Sequence, residues 1–320
     1  MIVRWGLVEL GGVVDELGTS RPLLVASPRW SEEPLPIQPS AAWTEVPSHR
    51  IAEAAEQAGD GVVALGGGSA IDLGKAISAE ADVPLVSVPT TYAGAEWTPY
   101  FGVRDSDRKL RGGGAGAHPA GVVYEPRLTL SLPREETVGT ALNALAHCAE
   151  ALYVQGRNDE ADAHALGGAR LIGEWLPQVV ERPDDLAART RLLAGAMHGG
   201  MALGKSMLAL GHAMAQALGG RYGLPHGAMN ALCLPAALRF NEKLAPEAVR
   251  RFGEALGTQE AAGRVEELAR LGGFERLRDF GVPEDELAAV AEAAAGRAGN
   301  QANPRPATPS ELERLLREIW

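Results

Sequence analysis

A run of four apolar residues, Val62–Leu65, passes without a spacer into Gly66-Gly67-Gly68-Ser69, and from Ala70 to Ala79 the residues favour helix. A short continuous apolar run suits a strand buried on both faces, which is the habit of a parallel sheet covered by helices. The pattern repeats in outline. Leu23–Ala26, ended by Ser27-Pro28, and Leu85–Val88, closed by Pro89-Thr90-Thr91, read as two more buried strands, with Ile51–Ala58 a helix between them. Val122-Val123-Tyr124 reads as the last strand. The proline-rich, polar stretch Glu32–Ser48 and the glycines from Gly112 to Gly116 read as loops. Strands alternating with helices predict an α/β domain built on a parallel sheet.

After Leu132-Pro133 the character changes. From about Glu135 onward Ala, Leu, Glu and Arg recur at helical spacing. A boundary near Pro133 divides the chain into an α/β nucleotide-binding domain, 1–133, and an all-helical domain, 134–320. Two domains suit 320 residues. Near the end, Gly299–Thr308 reads as an irregular loop before a helix over Pro309–Ile319, with Ser310 as N-cap and Glu313 as its capping-box partner. The formal net charge of -11 argues against nucleic acid or an anionic membrane as partner. An anionic ligand must therefore be held by local positive features. Two cysteines, Cys148 and Cys233, do not make a disulfide scaffold, and a reduced, cytoplasmic setting is expected. The first ten residues lack a signal-peptide pattern, and no apolar run is long enough to span a bilayer.

The glycine turn is the first candidate site. Glycine lets a ligand approach the backbone closely, and the free N–H groups of a helix start, with the helix dipole behind them, attract an anion such as a pyrophosphate. The spacing is not G-x-G-x-x-G, so the Rossmann fingerprint is absent. A tight turn that needs glycine for its geometry alone is the plainer alternative. Thr90 and Thr91 place two hydroxyls at the end of the next strand, where they fit either a nucleotide contact or a turn.

Three histidines form the second candidate. His147 shares a helix face with Asn143, four residues earlier; His212 shares one with Gln216; His226 lies in Leu224-Pro225-His226-Gly227, which reads as a turn. Three imidazoles that converge could ligate a divalent metal acting as a Lewis acid on a carbonyl. Spacing alone is equally compatible with separate core histidines. His49, His118, His164 and His198 show no such pattern and read as structural or surface residues.

Several segments, taken together and in order, resemble the iron-containing alcohol dehydrogenase superfamily: GGGSAIDLGKA at 66–76, VPTTYAGAEWTP at 88–99, VVYEPRLTLSLP at 122–133, NALAHCAEALY at 143–153, GHAMAQALGGRYGLPHG at 211–227 and NPRPATPSELERLL at 303–316. The YAG, NALAH and NPRP features are most similar to the maleylacetate reductase branch. The resemblance implies an α/β dinucleotide-binding domain followed by an all-helical one, with the active site in the cleft between. It implies that Gly67, Gly68 and Ser69 bind the pyrophosphate, with Asp72 beside them and Thr90 and Thr91 as the hydroxyl pair. His147, His212 and His226 take the positions of the metal-binding histidines (Fe or Zn), and Lys109 that of a reductase lysine. A soluble homodimer in aromatic compound catabolism is the family's expectation.

The chain also departs from the family. Asn143 stands where metal-dependent members have aspartate, Gln216 where many have a further histidine, and Asp72 where the reductases are expected to have glycine. The segment Gly112–Pro119 is less polar than in the reductases, and the N-terminal region is short. After the first strand read here, Ala26-Ser27-Pro28-Arg29 has no acid for a ribose 2′-OH, and Arg29 suits a 2′-phosphate, so NADP(H) is expected to serve at least as well as NAD(H). The reaction expected is hydride transfer to a carbonyl or conjugated double bond of a small molecule, with Lys109 and Arg111 near a substrate carboxylate. Maleylacetate is the first substrate to consider and a small aldehyde or ketone the second. The competing classes are a lyase similar to dehydroquinate synthase and a nucleotide-binding protein without catalysis.

Overall fold

The computed structural model describes residues 1–105 and 110–320. They form two compact units, Met1–Thr91 with Ala95–Ser131, and Tyr92–Gly94 with Leu132–Trp320.

The first unit is built on a parallel six-stranded sheet. Its strands are β1 (Ile2–Trp5), β2 (Leu23–Ala26), β3 (Ala41–Trp43), β4 (Val62–Gly66), β5 (Leu85–Pro89) and β8 (Gly121–Tyr124), in the spatial order β1-β8-β5-β4-β2-β3. A two-stranded antiparallel ribbon, β6 (Tyr100–Arg104) and β7 (Leu110–Ala115), stands apart from it. Helices α1 (Leu10–Glu16), α2 (Pro28–Ser31), α3 (Ile51–Ala55) and α4 (Gly68–Ala81) complete the unit. Alternate residues of each strand feed two cores. Leu24, Ala26, Val63, Leu65, Val86, Val88 and Val123 pack with Leu10, Val13 and Val14 of α1. Leu23, Val25, Val62, Ala64 and Leu85 pack on the opposite face with Ala54 of α3 and Leu73, Ala76 and Ile77 of α4. Both faces are dry, which is why these strands read as unbroken apolar runs. Each fully buried Leu or Val contributes about 1.5–3 kcal/mol.

Val122-Val123-Tyr124 is the last strand along the chain, as expected, and lies inside the sheet between β1 and β5. Two sequence expectations are corrected here. The edge strands β1 and β3 have no signature of double-sided burial; β3 lies inside the supposed loop Glu32–Ser48. The glycines Gly112, Gly113 and Gly114 belong to β7 rather than to a loop.

Beneath β8 lies a buried polar chain. Trp97 Nε1 donates to Tyr124 Oη (2.7 Å), and Tyr124 Oη donates to Glu96 Oε1 (2.7 Å). Oε2 of Glu96 is buried with no partner. Burial raises the pKa of Glu96 above the usual carboxylate range, against a smaller lowering by the Tyr124 hydrogen bond. A raised folded-state pKa favours the protonated carboxyl, so its contribution to stability is present at low pH and lost as pH rises through that pKa. Glu96→Gln should therefore remove part of the loss of denaturant midpoint that the wild type shows as pH rises above the ordinary carboxylate range. Parallel pH dependences in the two proteins would contradict this.

The second unit is helical: α5 (Arg134–Ala151), α6 (Asp159–Glu181), α7 (Leu186–Gly204), α8 (Leu210–Tyr222), α9 (His226–Glu242), α10 (Pro246–Ala255), α11 (Ala261–Arg270), α12 (Leu287–Ala295), α13 (Ala298–Ala302) and α14 (Pro309–Glu318). From Ala141 to Ala151 every residue of α5 is buried, and the helix packs against α6, α7 and α9. Small residues make this possible: a Cβ on Gly199 would stand 2.6 Å from the Ala144 carbonyl oxygen, so α7 and α5 touch backbone to backbone. Cys148 on α5 and Cys233 on α9 are both free and fully buried. Burial pushes the Cys148 thiol up to about 12, and the Cys233 thiol is raised too, by burial and by the charge of Glu150. Among the described residues no helix is long and apolar enough to cross a membrane.

Two further expectations change. The stretch from Gly299 includes most of α13. The last helix is capped by Thr308 and Glu311, not Ser310 and Glu313. Thr308 Oγ1 accepts from Glu311 N (3.3 Å) and Glu311 Oε2 accepts from Thr308 N (2.9 Å). Pro309 explains the shift: it takes the first helical position, where its missing N–H costs nothing, and so fixes the cap one residue before it.

Candidate functional site

In the first unit the candidate residues gather along the carboxyl ends of neighbouring strands. Ala26 lies opposite Leu65, and Gly66 opposite Pro89. The residues that follow them, Ser27, Gly67 and Thr90, therefore leave the sheet side by side, and Thr90 N donates to Gly66 O (3.0 Å). Gly67 is the N-cap of α4, and no side chain caps that helix. The first N–H groups of a helix have no partner within it, so the uncapped start of α4 offers donors to a ligand. Gly67 itself is close-packed, since a Cβ there would stand 2.9 Å from Thr91 Cγ2. At Gly68 a Cβ would meet nothing within 4 Å. The open volume over an uncapped helix start is a cradle that a side chain would fill, and it fits a pyrophosphate. Ser69, the next residue, is exposed.

The other candidates of this unit have structural work. Asp72 accepts from Lys75 Nζ (3.0 Å) and, through its second oxygen, from Gly102 N (3.0 Å). Its carboxylate fastens α4 to β6. Arg29 is exposed on α2; its Nη2 donates to Ser131 O (2.7 Å) and Ser131 Oγ, and its guanidinium lies over the Trp30 ring. Arg111 forms an ion pair with Asp105 (2.5 Å) rather than standing free for a substrate. Lys109 lies outside the described residues.

The second unit brings the three histidines together. The rings of His147 and His212 stack with centroids 4.9 Å apart and planes 16° from parallel, and His226 follows at 5.7 Å from His212. His226 is the first residue of α9 rather than part of a turn. Proline before a helix sets its start as readily as it sets a turn, and the sequence alone does not distinguish the two. His147 on α5 and His212 on α8 are buried, whereas His226 is exposed. Burial, then the neighbouring imidazoles of His212 and His226, hold the pKa of His147 well below the ordinary histidine range, so its ring is neutral. Nδ1 of His147 and Nε2 of His212 are buried without hydrogen-bond partners. An unpaired buried polar atom costs about 1–3 kcal/mol, and two of them in adjacent stacked rings mark a place where a polar ligand belongs.

Around the imidazoles runs an amide chain. Asn143 Nδ2 donates to Ala93 O (3.0 Å), Asn230 Nδ2 donates to Asn143 Oδ1 (2.8 Å), and the same Nδ2 lies 3.0 Å from His226 Nε2. Gln216, one turn beyond His212, stands 3.5 Å from Arg297 Nη1. Two of the other four histidines, His164 and His198, face each other (Nδ1 to Nδ1, 3.0 Å) on α6 and α7, apart from this cluster.

His147, His212 and His226, with Asn143, are the residues that would hold a metal ion, and as they stand they make a weak ligand set. Among the described residues no three His, Cys, Asp or Glu side chains converge on a point that could hold an ion. The fourth position is an amide whose oxygen already accepts from Asn230, and a neutral amide is a poor ligand for a hard cation. Asn143→Asp should supply the anionic oxygen and tighten Zn2+ binding by about 10–100-fold in a calorimetric titration, while the wild type keeps its turnover after dialysis against a chelator. Loss of wild-type turnover on chelation, restored by Zn2+ or Fe2+, would contradict this.

Two residues of the cluster escaped the sequence reading. Asn230 carries a legible signal, because it sits four residues after His226 on one helix face. Glu150 carries another: it is a carboxylate in the fully buried part of α5, three residues after His147.

An α/β unit with an anion cradle at its strand ends and a helical unit with a polar imidazole cluster together define a dinucleotide-dependent dehydrogenase or reductase. The iron-containing alcohol dehydrogenase family matches residues 4–126, and the C-terminal part of the Fe-containing alcohol dehydrogenase family matches residues 137–320. The chain belongs to the iron-containing alcohol dehydrogenase family. It is 35% identical to a maleylacetate reductase of Burkholderia cepacia, over 96% of this chain and 91% of that one. It is 39% identical to a maleylacetate reductase of Sphingobium indicum, over 83% and 75%. Among solved structures, maleylacetate reductase from Agrobacterium tumefaciens superposes with a TM-score of 0.90 at 31% identity, covering 100% of this chain and 95% of that chain. These relatives place the chain in the maleylacetate reductase-like branch of its family.

Proposed function

We propose that this chain is an NAD(P)H-dependent reductase of the maleylacetate reductase type, acting on a small carboxylated carbonyl or conjugated substrate. The observation that carries the reading is the pair of partnerless ring nitrogens, His147 Nδ1 and His212 Nε2, in a chain whose other unit presents an open glycine cradle. Gly67, Gly68 and Ser69 hold the pyrophosphate, and Thr90 and Thr91 the neighbouring part of the nucleotide. The nicotinamide, when bound, supplies the hydride. His147 donates through Nδ1 to the polar atom on which charge develops, and His212, after taking a second proton from solvent on Nε2, passes it to the product and returns to the ring protonated on Nδ1 alone. Asn143 and Asn230 keep the wall of that pocket polar without adding charge. Lys109 is the proposed contact for a substrate carboxylate, since Arg111 is occupied by Asp105.

The stretch Ala26–Arg29 at the end of β2 has no acid, and Arg29 is exposed with its Nη2 on Ser131. We therefore expect NADPH to serve at least as well as NADH. The test is a steady-state assay of cofactor oxidation with maleylacetate, with small aldehydes and ketones, and with each cofactor. Turnover of maleylacetate supports the proposal. Turnover of simple carbonyls but not of maleylacetate replaces the substrate, and cofactor binding without turnover on any carbonyl removes the enzyme. A strong preference for NADH would remove the role given to Arg29.

A further inference from the structure

Glu150 is fully buried in α5, and its two oxygens take three N–H donors: Ala209 N (2.7 Å), His212 N (3.0 Å) and His212 Nδ1 (2.7 Å). The first two belong to the start of α8. Its N-cap is Ala209, which has no side chain able to cap, and His212 N is the third helical N–H, the usual target of a capping oxygen. Glu150 thus caps α8 from another helix, where a negative group is favoured by the helix dipole. Gly211 leaves room for this approach: a Cβ there would stand 3.0 Å from Glu150 Oε1. The third donor is the imidazole, and on its far side Nε2 has no protein partner.

We propose that Glu150 is the positioning residue of the site, holding a ring hydrogen of His212 on Nδ1 so that Nε2 alone faces the substrate. The two duties reinforce each other. The cap fixes the backbone of His212, and the same carboxylate fixes the ring, so neither can turn independently. A carboxylate filled by N–H donors acts as an acceptor, so the ring nitrogen beside it must carry the hydrogen. Proton exchange with a bound ligand is then confined to Nε2. The catalytic part of this assignment rests on the reductase reading above; the tautomer does not.

The experiment is nitrogen NMR of protein with 15N-labelled histidine, recorded at a pH where the rings are neutral, on the wild type, His212→Gln for assignment and Glu150→Gln. The expected wild-type spectrum has His212 protonated on Nδ1. Glutamine keeps Oε1 for the His212 N cap and gives up the Ala209 N bond, and its NH2 in place of Oε2 can donate to Nδ1, so Glu150→Gln should move the hydrogen to Nε2. With the cap retained, kcat should fall by about 10–100-fold with the dissociation constant for NADH unchanged. Glu150→Asp, which retains a carboxylate, should keep the wild-type tautomer. A wild-type His212 carrying its hydrogen on Nε2 overturns the proposal even if both variants fail to fold, and so does an unchanged tautomer in folded Glu150→Gln. The expected wild-type tautomer without turnover of any carbonyl would sustain the positioning role and overturn only the reductase reading.

Discussion

Gly68→Val is expected to abolish measurable NAD(P)H binding while leaving the protein folded. The prediction follows from an asymmetry between adjacent glycines. At Gly67 a Cβ would press on Thr91 Cγ2 at 2.9 Å, so substitution there disturbs the protein itself. At Gly68 the added atom meets no protein within 4 Å, so an isopropyl group occupies the space over the start of α4 and nothing else. A ligand phosphate held by helix N–H groups needs that space empty and close to the backbone. Loss of those hydrogen bonds to an anion, at about 1.5–3 kcal/mol each, amounts to at least about 100-fold in affinity when two are broken. Fluorescence titration with NADH and NADPH measures it, and thermal unfolding verifies the fold. Binding within about threefold of wild type would remove the glycine turn from the cofactor site, because 1.4 kcal/mol already corresponds to tenfold.

His147→Phe is expected to separate stability from activity. The phenyl ring can keep the stack on His212, whose centroid lies 4.9 Å away, while the buried, partnerless Nδ1 disappears. Removing an unsatisfied polar atom from the interior favours the folded state, so the unfolding temperature should hold or rise. Turnover should fall by about 100-fold or more, the usual contribution of a group that shares in proton transfer or charge stabilisation. Cofactor affinity should not change, since the nucleotide is assigned to the other unit. Should kcat stay within about threefold of wild type, His147 is a core ring and the polar cluster is not the reaction site.

How far the sequence disclosed this protein depends on how locally each feature is encoded. The strand β4, its glycine turn and α4 were readable because one short segment carries both the double-sided burial and the turn chemistry. Strand β1 was not, because Ile2–Trp5 lies at the sheet edge with Arg4 and Trp5 exposed, and half-exposed four-residue strands have no distinctive period. Strand β7 was missed because Gly112, Gly113 and Gly114 have no side chains to show alternation. In the cluster, His147 and His212 were recognisable from helical spacing and from the family resemblance. The role of Glu150 was not, because the helix start it caps lies 59 residues further along the chain. Arg111 and Asp72 have partners that no local pattern announces. Each is a charged residue near a motif, yet Asp105 and the pair Lys75 and Gly102 claim them.

A conjugated unsaturated acid or ketone is a soft electrophile, and thiolates add to such double bonds without any enzyme. The chain has two cysteines, Cys148 and Cys233, both sealed inside the helical unit and both kept as thiols by burial. The folded protein therefore exposes no cysteine thiol to the compounds it is proposed to reduce, and its cysteines should stay unalkylated through prolonged turnover.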